Sequence, residues 1–323
     1  MRLIDQFLSK ATVIEKSVHD YLVGIIRGTA PHHDSIRIIP ISEVREADEG
    51  WDAAIDDGVV PMFLQYKLPS FTTMGRRDWP AHLDQRRAYN FEDDGGVFHF
   101  ALREKSATAA LSQHQLLLNL QNAGEHAYYT STVYRDFRQL WKAGHGFGPS
   151  GSGVWRAWHT VSILHGAPLD PYFVPWVSGL IFIPPHGAVT DPPEQHRFFY
   201  NELYEVSLHS DPMEVMSLTL EDVITNLRVR LGNTQRISVD RLDGGYVTGL
   251  FDTLLGDNAD KRELAARLTQ QYESVLARFQ QNTVMNAAER RWTALRTVLW
   301  SAFDLDLVLA ARTRNADDAE RRA

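Results

Sequence analysis

Residues 50–67, GWDAAIDDGVVPMFLQYK, set two apolar-rich runs side by side, and the second carries Gln65 and Lys67 inside what otherwise reads as a buried strand. Residues two apart on a strand share a face. Gln65 and Lys67 therefore project together with Phe63, while Met62, Leu64 and Tyr66 face the other way. Asp57-Gly58 between the runs is a hairpin turn signal. It predicts that 51–56 and 61–68 pair as a hairpin, with Asp52 at the end of the neighbouring strand and aimed at the same place as Gln65 and Lys67.

The flanking segments alternate helix and strand. Apolar residues from Leu3 to Ile26 recur at helical spacing and Gly28 ends the run, so the chain opens on an amphipathic helix. IRIIPIS (36–42) reads as a strand, as does GVFHFALR (96–103). Ser112 is placed to cap the helix QHQLLLNLQNAG, which closes at Gly124, and HAYYTSTVY (126–134) follows as a β-rich run. The resulting order is helix, strands, helix, strand. GHGFGPSGSG, from Gly144, reads as a loop or linker, since no strand feeds its G-x-G-x-x-G match and Pro149 interrupts it. Residues 154–217, with Trp155, Trp158, Trp176 and VSGLIFIPP, suggest irregular β structure. From Leu218 to the end the pattern is helical, with a polar, fraying tail. Three regions are expected: 1–145 as the core, 146–217 as linker and β-rich extension, and 218–323 as a helical region whose apolar stripes suit a protein partner or a second copy of the chain.

The bulk numbers narrow the function. A net charge of −8 and a pI near 5.9 argue against a broadly basic nucleic-acid coat protein while leaving room for a local basic groove. With no cysteine, disulfides, thiolate zinc sites and cysteine nucleophiles are excluded. Neither a signal peptide nor a run of about 18 apolar residues stands out, so a cytoplasmic protein is expected.

An acid, an amide oxygen and an amine converging on one place suit phosphodiester cleavage: oxygens hold Mg²⁺, the metal activates water, and the lysine orients or deprotonates the nucleophile. Glu46 or Glu49, just upstream, offers a second carboxylate. Arg76, Arg77, Arg86 and Arg87 form the best local basic patch, and Gln113 and His114 fall in the first turn of a capped helix, where backbone N–H groups favour phosphate. The rival reading is a hairpin of an unrelated α/β domain, with Lys67 snorkelling at a strand end and Asp52 capping a turn. His159, His165, His186 and His196 match no metal-binding spacing.

Asp52, twelve intervening residues, then Gln65-Tyr66-Lys67 resembles the Asp…(Glu/Gln)-x-Lys signature of the PD-(D/E)XK, or restriction-endonuclease-like, nuclease superfamily, in its Q-x-K form. The element order is similar to that superfamily's αβββαβ core. The resemblance covers roughly residues 1–140. FLQYKL, QHQLLLNL and HAYYTS also resemble a group of bacterial proteins from which no activity carries over. The superfamily implies an α/β core, Mg²⁺ or Mn²⁺ as cofactor and DNA as substrate. It implies Asp52, Gln65 and one of Glu46 and Glu49 as metal ligands, Lys67 as the catalytic lysine, and defence against foreign DNA as a plausible setting. Gln65 supplies a neutral oxygen where a carboxylate is usual. The alternative the same features allow is a nuclease-fold scaffold or binding subunit of a larger complex.

Overall fold

The computed structural model describes residues 36–40, 55–73, 86, 91, 96–105, 111–134, 179–189, 192–208, 211–232, 237, 242–256, 259–281 and 285–313. The fold is mixed α/β, with a mixed sheet containing one parallel pair, a separate antiparallel sheet and a C-terminal helical region. The opening helix, the linker around Gly144 and the three tryptophans Trp155, Trp158 and Trp176 lie outside the described residues. By contacts the chain divides into two compact units, one of 33–65, 105–128 and 224–323, the other containing 66–104 and 129–223.

In the first unit, β1 (Ile36–Pro40) and β2 (Ile55–Tyr66) both pair antiparallel with a strand from the far end of the chain, β10 (Asp306–Thr313). Val59, Val60, Met62, Phe63 and Leu64 are at most 1% exposed, so β2 is covered on both faces and reads as a continuous apolar run for that reason. Pro61 lies inside this ladder opposite Leu309. Its nitrogen points the same way as that of Val59, whose amide bonds Ile237 rather than β10, so the ladder to β10 loses no donor.

Two expectations are corrected here. The hairpin of 51–56 on 61–68 does not form: Ile55–Tyr66 is one unbroken strand, Asp57-Gly58 lies within it, and its antiparallel partner is β10. β10 stands between β1 and β2, so those two strands do not pair with each other. The C-terminal pattern is helical only as far as Phe303. Asp304, in the left-handed conformation at φ 56, caps the last helix, and the apolar stretch after it becomes β10.

The helices of this unit follow their local signals. Ser112 caps α1 (Gln113–Asn122), its hydroxyl accepting from the Gln115 amide at 3.2 Å, and Gly124 at φ +87 follows the last turn. The chain then enters β5 (His126–Thr132), which runs parallel to β2. Four further helices are α2 (Leu220–Gly232), α3 (Gly244–Leu255), α4 (Ala259–Phe279) and α5 (Ala287–Phe303). Asn119 on α1 donates to the Leu254 carbonyl of α3 at 2.8 Å, and α3, α4 and α5 pack in sequence. A capping box of Asn286 and Glu289 starts α5, which buries Trp292, Leu295, Val298 and Leu299 along one stripe.

The second unit is built on the antiparallel order β3 (Ser70–Thr72), β4 (Val97–Ala101), β7 (Arg197–Tyr200), β8 (Val206–Leu208) and β9 (Asp211–Val215). Cross-strand aromatic pairs hold it: Phe98 opposes Tyr200 and Phe100 opposes Phe198, each with ring centroids 5.5 Å apart. β6 (Leu180–Ile183) pairs antiparallel with Tyr129–Thr132 of β5. No helix among the described residues is long and apolar enough to cross a membrane.

Candidate functional site

Gln65 ends the apolar run of β2, and its side chain is 1% exposed. Neither its amide oxygen nor its amide nitrogen has a hydrogen-bond partner among the described residues. Native interiors pair nearly all such groups, and leaving one unpaired costs on the order of 1–3 kcal/mol, so an orphaned buried amide calls for a water, an ion or a ligand.

Lys67, two residues on, is 4% exposed, and its ammonium lies 5.5 Å from the centroid of the Tyr129 ring. Its backbone is held from both sides by β5. The Lys67 amide donates to the Thr130 carbonyl at 2.9 Å, and the Ser131 hydroxyl donates to the Lys67 carbonyl at 2.8 Å. Ser131 is also 2.8 Å from the Tyr200 hydroxyl, which donates to the Thr132 carbonyl at 3.0 Å. Tyr129 is walled by Phe100 and Phe198, and burial holds its phenol well above the usual range, so it stays neutral. Sequence reasoning read 126–134 only as a β-rich run and missed Tyr129, Ser131 and Tyr200. The available signal was three consecutive hydroxyl residues, Thr130-Ser131-Thr132, in a strand buried along its whole length.

Asp52, Glu46 and Glu49, the expected acids, lie outside the described residues, as do Arg76, Arg77 and Arg87. Ile55 and Gln65 stand ten residues apart on one extended strand, roughly 33 Å at about 3.3 Å per residue, so no turn within 55–66 folds this segment back on itself. Among the described residues no group of three or more acids and histidines is placed to hold a metal ion. The buried carboxylate of Asp306 is not a substitute. It sits opposite Leu64, hence on the face away from Gln65, and accepts from Arg296 Nε at 2.6 Å and the Leu307 amide at 3.0 Å. For Mg²⁺ the described residues thus fit in one respect, the unpartnered Gln65 oxygen, and any carboxylate comes from outside them.

Gln113 and His114, the expected phosphate contacts, stand in the first turn of α1. Gln113 reaches the end of α5, its amide donating to the Phe303 carbonyl at 3.5 Å and the Asp304 carboxylate at 3.4 Å, both long contacts. His114 is 4% exposed. An amphipathic helix turns one side of its first turn inward, and here that side carries the histidine. Arg86 is a clamp rather than part of a basic patch. It donates to the Phe199 carbonyl, the Ser207 hydroxyl and the Glu205 carbonyl at 3.2, 2.6 and 3.0 Å, and its guanidinium lies 4.2 Å from the Phe91 ring centroid. His186 accepts from the Ala188 amide and His196 is buried, while His159 and His165 lie outside the described residues.

On the first unit, His126 and Tyr128 share a face of β5, with Nδ1 and the phenol oxygen 3.0 Å apart. Burial first, and the charge of Arg230 second, hold His126 down from 6.5 to about 4. The folded state thus resists a proton that the unfolded state takes up below 6.5. The histidine's contribution is complete above that pH and is lost as pH falls toward 4. Burial raises neighbouring Glu125, which titrates in the opposite sense, and lowers His99 in the second unit to about 4. Urea midpoints should therefore fall between pH 7 and pH 4.5. His126→Gln should flatten that fall by roughly 1–3 kcal/mol, and an unchanged slope would show that the histidine accepts its proton while folded.

No protein-family model, curated protein or solved structure matches the chain.

Proposed function

We propose that this chain is a metal-dependent nuclease, using Mg²⁺ or Mn²⁺ to cleave phosphodiester bonds in DNA, in the cytoplasm and in defence against foreign DNA. The observation that carries the reading is the orphaned Gln65 amide two residues from a buried lysine, at the end of a strand that runs parallel to β5. When bound, the metal supplies a Lewis acid that makes water a nucleophile near neutral pH. Gln65 offers it a neutral oxygen, and one or more of Asp52, Glu46 and Glu49 supply charge. The Lys67 ammonium stabilises the negative charge that develops on the phosphate oxygens, and the aromatic wall around Tyr129 keeps bulk water away, which strengthens that interaction.

A second reading is a nuclease-like scaffold or binding subunit that docks a protein partner or another copy through its helices. The unbroken β2 favours it, because the turn expected to return Asp52 to Gln65 is missing, and so does the depth at which both side chains lie. Cleavage of plasmid and linear DNA separates the two. Under the first reading the wild type cuts only with Mg²⁺ or Mn²⁺, Lys67→Ala loses about a hundredfold or more in rate, and Gln65→Glu cuts at least as well as the wild type. Asp52→Ala, Glu46→Ala and Glu49→Ala identify the acid. DNA binding without cutting would move the assignment to the second reading.

A further inference from the structure

The contacts on either side of Lys67 contain more oxygens than hydrogens. Lys67 O to Ser131 Oγ, Ser131 Oγ to Tyr200 Oη, and Tyr200 Oη to Thr132 O are 2.8, 2.8 and 3.0 Å. The two ends are carbonyls, which only accept, so the two hydroxyl hydrogens serve three contacts. If Ser131 donates to Lys67 it braces it, whether Tyr200 then donates to Ser131 or to Thr132. If Tyr200 donates to Thr132 and Ser131 donates to Tyr200, the Lys67 carbonyl loses that bond. All three hydroxyl-bearing residues, Ser131, Thr132 and Tyr200, are fully buried or nearly so, so bulk water does not make up the missing hydrogen. Burial raises the Tyr200 phenol, which therefore keeps its proton.

We propose that Ser131 and Tyr129 are positioning residues for the Lys67 amine, with Tyr200 setting whether the Ser131 hydroxyl braces the Lys67 backbone. This rests on the reading of Lys67 as the acting amine, but its geometry does not. Lys67 follows the last residue of β2, so its backbone is fixed by the Thr130 and Ser131 bonds rather than by a continuing strand. The Tyr129 ring then gives the ammonium a face to rest on. Each of these restraints narrows the positions open to a lysine nitrogen carried on four rotatable side-chain bonds.

The variants make opposite predictions for a brace and for general packing. Tyr200→Phe removes the competing hydroxyl and leaves the Lys67 carbonyl as the partner of Ser131, so the brace persists. Ser131→Ala removes it. Tyr129→Phe keeps the ring, and Tyr129→Leu removes it. In full-length protein, the Lys67 ammonium should give a slowly exchanging ¹H–¹⁵N cross-peak, assigned by its loss in Lys67→Arg. The peak should persist in Tyr200→Phe and Tyr129→Phe and broaden away in Ser131→Ala and Tyr129→Leu. In DNA cleavage, Ser131→Ala should lower kcat about ten- to a hundredfold with little change in KM, while Tyr200→Phe stays close to wild type. A cross-peak that survives in Ser131→Ala, or that Tyr200→Phe loses as readily as Ser131→Ala does, overturns the proposal. If Tyr129→Leu fails to fold, the Ser131 and Tyr200 pair still decides it. The expected cross-peak pattern in a protein that never cuts DNA would support the positioning and remove the nuclease reading alone.

Discussion

Ending the chain at Asp304 should abolish the folded state instead of trimming a tail. The deletion takes away β10, which pairs with β1 on one edge and β2 on the other, so two strands lose their ladder at once. Every residue from Leu305 to Ala311 is at most 1% exposed. Burying Leu305, Leu307, Val308 and Leu309 contributes about 1.5–3 kcal/mol each, together comparable to the roughly 5–15 kcal/mol by which whole domains are stable. The Asp306 bond to Arg296, which ties β10 to α5, goes as well. Circular dichroism and gel filtration of the truncated chain should show loss of cooperative unfolding and aggregation. Leu309→Ala is the graded control, folded but weaker by about 2–5 kcal/mol. A monomeric truncation with a native near-ultraviolet spectrum would mean that β1 and β2 need no β10.

Gln65→Met should move stability and activity in opposite directions. Methionine is unbranched and similar in length to glutamine, so it fills the same space without leaving two polar atoms unpaired. In metal-free buffer the variant should be more stable than wild type by about 1–3 kcal/mol. It should also cut no DNA, and Mg²⁺ should raise the urea midpoint of the wild type but not that of the variant, since only the former gains from binding. A loss of stability in Gln65→Met would show that the amide already has a partner, and would count against its role as a ligand.

Much of the local structure is legible in the residues themselves. Ser112 and Gly124 bound α1 as their chemistry dictates, because a hydroxyl that accepts from an N–H two or three residues on and a glycine free to take positive φ act within one turn of chain. The β run at 126–132 and the strand around Val97 follow from β-branched and aromatic content in the same way. Of the candidate site, the apolar run that leads to Gln65 reads as a buried strand and is one, while Lys67 lies just past its end. What the chain pairs with is a different kind of question. Asp57-Gly58 carries a strong turn signal, yet in the fold it is extended, because Asp306–Thr313 offers β2 a ladder, buried from Asp306 to Ala311, more than two hundred residues away along the chain. LVLAA after Asp304 has helix-forming composition and becomes a central strand for the same reason. Tyr200 reaches Ser131, and Arg86 reaches Phe199, Glu205 and Ser207, only once the antiparallel sheet has formed. Capping and periodicity are set by neighbours within a few residues, whereas the partner of a strand, and the burial of a histidine or an arginine, are set by whichever distant segment covers the most apolar surface while satisfying the backbone.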